Sequence, residues 1–170
     1  MRTVFGADEQ SDVEVDVLRW VRLARMVLDE ERVPEESEMS VIFVDEQAMA
    51  DLHERFLGDH EPTDVLAFPM DDDVAPGGRQ PDQGGRGPGS PAEASDPPTV
   101  IGDVVVCPQV AVRQTGDKRS VDDEVALLVV HGVLHLLNYD HAEDQESEAM
   151  RKRERELLAR FRQLEREAGQ

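Results

Sequence analysis

The chain has 170 residues, enough for one domain with a sizeable core. Its formal charge is −20, from 18 basic and 38 acidic residues, which favours solubility and excludes loose, charge-driven attachment to nucleic acid or anionic lipid. Apolar residues make up 39% but are unevenly placed, and no stretch approaches the roughly 18 unbroken apolar residues of a membrane span. Acidic Asp8 and Glu9 stand where a signal peptide would be basic and then apolar, so a cytoplasmic location is expected. The single cysteine, Cys107, cannot form an internal disulfide, in keeping with a reducing compartment.

Residues 2–5 read as a short first strand. Asp12 is placed to cap a helix whose apolar positions Val13, Val17, Trp20, Val21, Ala24, Val27 and Leu28 follow the 3.6-residue period. Its charged face, with Glu14, Asp16, Arg19, Arg22 and Arg25, reads as solvated surface. After Pro34, residues 39–44 read as a strand around Val41, Ile42 and Phe43. Asp45 then caps a second helix with Ala48, Met49, Leu52 and Phe56 on one side and Gly58 past its end. Pro62 to Asp64 turn the chain into a short strand over residues 65–68.

From about residue 70 to 98 the composition changes to Gly, Pro, Asp and Ser, with little to bury. It reads as a long disordered insertion within one domain spanning residues 1–170, not as a boundary between two. Residues 100–107 form the next strand, where consecutive Val104, Val105 and Val106 imply burial on both faces. Pro108 suits the first position of a short helix ending near Gly116. Ser120-Val121-Asp122-Asp123 opens a further helix that runs to about Leu137. Residues 144–161 read as a charged surface helix with Met150, Leu157, Leu158 and Phe161 facing the core. Its basic run Arg151-Lys152-Arg153, interleaved with Glu148, Glu154 and Glu156, reads as ion pairing along the helix and not as an RNA patch.

Residues 125–137 contain only apolar side chains apart from His131, Gly132 and His135, so this helix is expected to be buried. The two histidines are four residues apart, about 40° around the axis and about 6 Å along it. That is the spacing used when one helix supplies two zinc ligands, and Gly132 between them lets another backbone approach. Asn138 tolerates the left-handed conformation that ends a helix, and a chain reversing there would bring His141 back beside the pair. Two uncompensated imidazoles on a buried face would be costly; three around zinc leave the fourth tetrahedral position to water, as in catalytic sites. His131, His135 and His141 are therefore the expected metal ligands, while His53 and His60 are left out.

The run His131-Gly132-Val133-Leu134-His135-Leu136-Leu137-Asn138-Tyr139-Asp140-His141 resembles the signature of the YbeY family of bacterial endoribonucleases, which mature ribosomal RNA. Pro62-Thr63-Asp64-Val65-Leu66-Ala67-Phe68-Pro69 resembles that family's second motif, and Gly102-Asp103-Val104-Val105-Val106-Cys107 its third. The three occur in family order and the resemblance covers nearly all of the chain outside the insertion. It implies an α+β fold with a small mixed β-sheet packed with helices, the buried helix carrying the ligands, and one zinc ion on the three histidines. It also implies hydrolytic cleavage of single-stranded RNA in ribosomal RNA processing, small-subunit maturation and ribosome quality control, with ribosomal RNA and the small subunit as partners. No DNA or membrane partner is expected. Three positions depart from the family: Asn138 for glycine, Ala67 for serine, and Leu57 where many members carry an arginine thought to help catalysis. The catalytic residues are thus left unassigned.

Asp140 stands as a partner for a ligand histidine or as a stabiliser of the turn. Two other functions compete. Metzincin proteases share the three-histidine spacing but need a glutamate after the first histidine, where this chain has Gly132. A non-catalytic ribosome-assembly factor, with zinc supporting the fold, would suit the acid excess and Leu57. Binding of RNA by so acidic a chain calls for a local positive patch, for which Arg55 and, more weakly, Arg113 are the candidates.

Overall fold

The computed structural model describes residues 2–57, 63–70, 99–115, 120–137, 139 and 144–169. Among them the order is β1 (Thr3–Asp8), α1 (Val17–Glu30), β2 (Ser37–Phe43), α2 (Glu46–Leu57), β3 (Val65–Pro69), β4 (Thr99–Val106), α3 (Pro108–Thr115), α4 (Val121–Leu136) and α5 (Asp144–Ala168). The four strands form one sheet in the order β1-β2-β4-β3. β1 and β4 both run parallel to β2, while β3 pairs antiparallel with β4. This is the expected α+β architecture with a small mixed sheet.

Alternation along the strands divides the core in two. Val4, Met39, Val41, Phe43, Val104 and Val106 point to the face covered by α1, α4 and α5, where Trp20, Leu23, Leu134, Leu157 and Phe161 join them. The other face carries a smaller cluster of Val44, Met49, Leu66, Val105, Cys107 and Val110, with α2 over it. Val104, Val105 and Val106 are all buried, as their unbroken run implied. β2 and β4 lose register between Glu38 and Met39, where Ile101 is the extra residue of a bulge. Gly102 follows it at φ +144, and a Cβ there would collide with the Phe68 carbonyl oxygen; only glycine suits that backbone.

Several boundaries differ from those expected. α1 begins at Val17 with Asp16 as its cap, accepting from Arg19 N–H at 3.2 Å. Asp12 does not cap it, because the Gln10 side chain bonds both the N–H and the carbonyl of Val13 (2.9 and 2.8 Å) and holds that stretch as a turn. β1 runs to Asp8, three residues beyond Phe5. The charged face of α1 is not simply solvated: Arg19 grips Glu165 of α5 through two bonds (2.7 and 3.0 Å) and reaches Asp122 of α4 at 3.1 Å. α5 extends seven residues past Phe161, since Leu164 continues its packed stripe. Asp45 and Ser120 do cap α2 and α4, accepting from Ala48 N–H at 2.8 Å and Asp123 N–H at 3.0 Å. The expected insertion lies outside the described residues apart from Met70. No described helix is long and apolar enough to cross a membrane.

Candidate metal centre

α4 is the central helix. It packs on α1, α3, α5, β3 and β4 and buries Val125, Ala126, Leu128, Val129, Val130, Gly132, Val133, Leu134 and Leu136. The close approach at Gly132 is by side chains, not by the backbone expected. A Cβ there would sit 2.6 Å from Val104 Cγ1 and 3.3 Å from Val65 Cγ2. The three sequence motifs therefore meet at one place, because the strands carrying the second and third wedge against the glycine of the first.

With Gly132 turned into the sheet, His131 and His135 project from another side of α4, and both are half-buried. Their Nε2 atoms lie 3.0 Å apart, with ring centroids at 4.5 Å and planes at 75°. Nδ1 of His131 is 2.6 Å from Oε1 of Glu154 on α5. When Nδ1–H donates to that carboxylate, Nε2 is left with its lone pair toward His135, the tautomer a metal requires. Two such lone pairs at this distance repel unless a proton or cation lies between them. Two nitrogens at 2.0–2.1 Å from one tetrahedral zinc would be about 3.3 Å apart, so the observed pair fits such an ion within a few tenths of an ångström.

Glu154, which the sequence reading placed among surface ion pairs, belongs instead to the surroundings of the histidine pair. It is one of the few buried charged or polar residues, at 7% exposure. A buried carboxylate is stable only when paired, and its partner here is the imidazole. The signal lies in spacing: Met150, Glu154, Leu157 and Phe161 follow one helical stripe, so the charge sits on the core side of α5.

The chain just beyond α4 is anchored by a small network. Tyr139 N–H donates to the Leu134 carbonyl at 3.0 Å, and its hydroxyl donates to Glu31 at 2.8 Å. Arg153 donates to the same carboxylate at 2.5 Å. Burial, and then the bond to Glu31, push the Tyr139 phenol above its ordinary value. Through Glu31 and Arg153, Tyr139 ties the chain just after α4 to the end of α1 and to α5. His141, the expected third ligand, lies outside the described residues, as do Asn138, Asp140 and His60. Among the described residues no three His, Cys, Asp or Glu side chains are gathered for a metal. His53 rides on α2, away from the pair, across the sheet from α4.

The model of the family Endoribonuclease YbeY matches residues 6–162 of this chain. The chain belongs to the YbeY endoribonuclease family. A relative named Endoribonuclease YbeY from Thermobifida fusca is 47% identical over 154 residues, covering 90% of each chain. Others of that name from Frankia casuarinae and Beutenbergia cavernae are 45% and 44% identical, covering 92% and 89% of this chain and 73% and 93% of their own. The solution structure of a Thermotoga maritima protein superposes with a TM-score of 0.59 over 97% of this chain and 93% of its own, at 22% identity, and so shares the fold. The motifs read in the sequence lie within the matched residues, and they coincide with the wedge at Gly132 and the histidine pair beside it.

Proposed function

We propose that this chain is a zinc-dependent single-strand endoribonuclease acting in ribosomal RNA processing, small-subunit maturation and ribosome quality control. The observation that carries the reading is the convergence of His131 and His135 through Nε2, with Glu154 behind Nδ1, in a chain matched by the YbeY family model. His131, His135 and His141 would hold one zinc, which when bound supplies a Lewis acid and a water of lowered pKa. Glu154 fixes the ring of His131 and keeps its proton on Nδ1. The packed surroundings of α4 hold both imidazoles in place before any ligand arrives. Ribosomal RNA and the small subunit are the partners in this reading.

Protease chemistry finds no support, since position 132 has no side chain and faces Val104 in the core. The second reading, a non-catalytic assembly factor, rests on Leu57 and the charge of −20. Incubating a defined single-stranded RNA with metal-loaded protein, and with a His131→Ala variant, separates them. Cleavage by the first and none by the second is expected. Intact RNA with both, the parent carrying its full zinc content, would favour the assembly factor.

A further inference from the structure

The positive patch that so acidic a nuclease needs does not come from the arginines singled out in the sequence. Arg113 is ion-paired with Glu46 of α2, and Arg55 lies on α2, across the sheet from α4. Among the described residues, the cations lining the hollow at His131 and the groove beside it belong to α5. A hollow of about 240 Å³ opens on His131 and is also lined by Ser147, Met150, Arg151 and Glu154. It shares Arg151 and Glu154 with a larger groove of about 600 Å³, whose walls include Asp123, Arg155, Leu158 and Arg162.

The arginines of α5 fall into two sets. Arg153 and Arg160 turn to the end of α1, where they meet Glu31 and Glu30. Arg151, Arg155 and Arg162 line the groove; four residues advance about 40° around the helix and eleven about 20°, so the three share one face. They are spread over about 16 Å of axis. Arg151 donates to the neutral Ser147 hydroxyl at 3.0 Å. Among the described residues no carboxylate is within ion-pair distance of Arg151 or Arg155. Arg162 meets exposed Asp123 at 3.6 Å. Of the acids in the groove, Glu154 is committed to His131.

We propose that the groove between α4 and α5 is a track for the RNA backbone leading to His131, with Arg151, Arg155 and Arg162 binding successive phosphates. This rests on the RNA-cleaving reading above and adds where the strand lies. Arginine suits the task because its planar fork keeps its charge and matches phosphate oxygens in pairs. A chain of −20 repels RNA beyond the screening length of about 8 Å at physiological salt. Attraction must therefore be local, and this groove holds two cations without ion-pair partners among the described residues beside the candidate metal centre.

The test is salt-dependent binding of a labelled 2′-O-methyl oligouridylate, checked to be intact after each measurement, to the zinc-loaded full chain. Each phosphate contact contributes about 0.7 to the slope of log affinity against log salt for single strands. Arg151→Ala/Arg155→Ala is expected to flatten the slope by about 1.4, with zinc content and unfolding midpoint unchanged. Arg151→Lys/Arg155→Lys should largely restore it. Lys152→Ala, which removes an exposed charge outside the groove, should leave it as it was. An unchanged slope in the double alanine variant, an equal loss with Lys152→Ala, or no measurable binding at low salt would overturn the track. Cleavage of unmodified RNA by the parent protein is read separately. Cleavage with an arginine-independent slope defeats the track alone, and an arginine-dependent slope without cleavage defeats the nuclease reading alone.

Discussion

The two faces of the sheet are built from the same strands but not to the same thickness. On one side β2 and β4 are covered by α1, α4 and α5, and Leu23, Val27, Phe43, Val104 and Leu134 are fully shielded from solvent. On the other, α2 covers a small cluster around Met49 and Val105, and Phe56 remains 57% exposed, leaning on Phe68 with ring centroids 5.0 Å apart. A hollow of about 630 Å³ lies open there between Leu52, Phe56, Phe68 and Val105. The histidine pair stands on the thick side. Placing imidazoles within a few tenths of an ångström requires neighbours that cannot relax, and the close-packed side supplies them.

If that contrast is right, equal truncations should not cost the same. Leu134→Ala, enclosed between sheet and helices, is expected near the upper end of the roughly 2–5 kcal/mol range for such changes. Met49→Ala belongs near its lower end, since it sits in the smaller cluster under one helix, which can relax around the truncation. Denaturant unfolding of both variants measures this, and equal losses would break the comparison. A second effect sharpens what the thick side does for the site. Glu154→Gln keeps the shape but removes the carboxylate behind His131, and zinc affinity should fall about 10- to 100-fold while the metal-free protein unfolds at the same denaturant concentration. Competition against a chelator reads the affinity.

The smallest effect lies on the thin side. Burial pushes the Cys107 thiol above its ordinary 9.0, so the folded protein holds that proton more tightly than the unfolded chain. The stability tied to it is fully present below pH 9 and is lost as pH rises through the folded value. Cys107→Ala should therefore reduce the alkaline loss of stability, and in the native protein iodoacetamide at pH 8 should label this thiol slowly. Rapid labelling would mean that the thin side opens readily.

Much of this was legible in the residues. The valine run of β4, the period of α1 and the caps Asp45 and Ser120 are local signals, and each predicted its element, while the four-residue spacing put His131 and His135 side by side on α4. What the sequence hid was tertiary. Gln10 overrides Asp12 as organiser of the start of α1 by bonding the backbone of Val13. Glu154, flanked by Arg153 and Arg155, looks like surface until its place on the Met150–Leu157–Phe161 stripe is noticed. Arg151 and Arg153 are two residues apart in one basic run, yet they face a groove and an acidic helix end respectively. Only the packing of α5 on α4 and α1 distinguishes them.

The central claim is that the thick side exists to hold one zinc on His131, His135 and His141. Metal analysis of the purified chain and of His131→Ala, His135→Ala and His141→Ala tests it most directly. The account predicts about one zinc per chain in the parent, following the single tetrahedral site, and marked loss in each variant. Undiminished zinc in all three would contradict it.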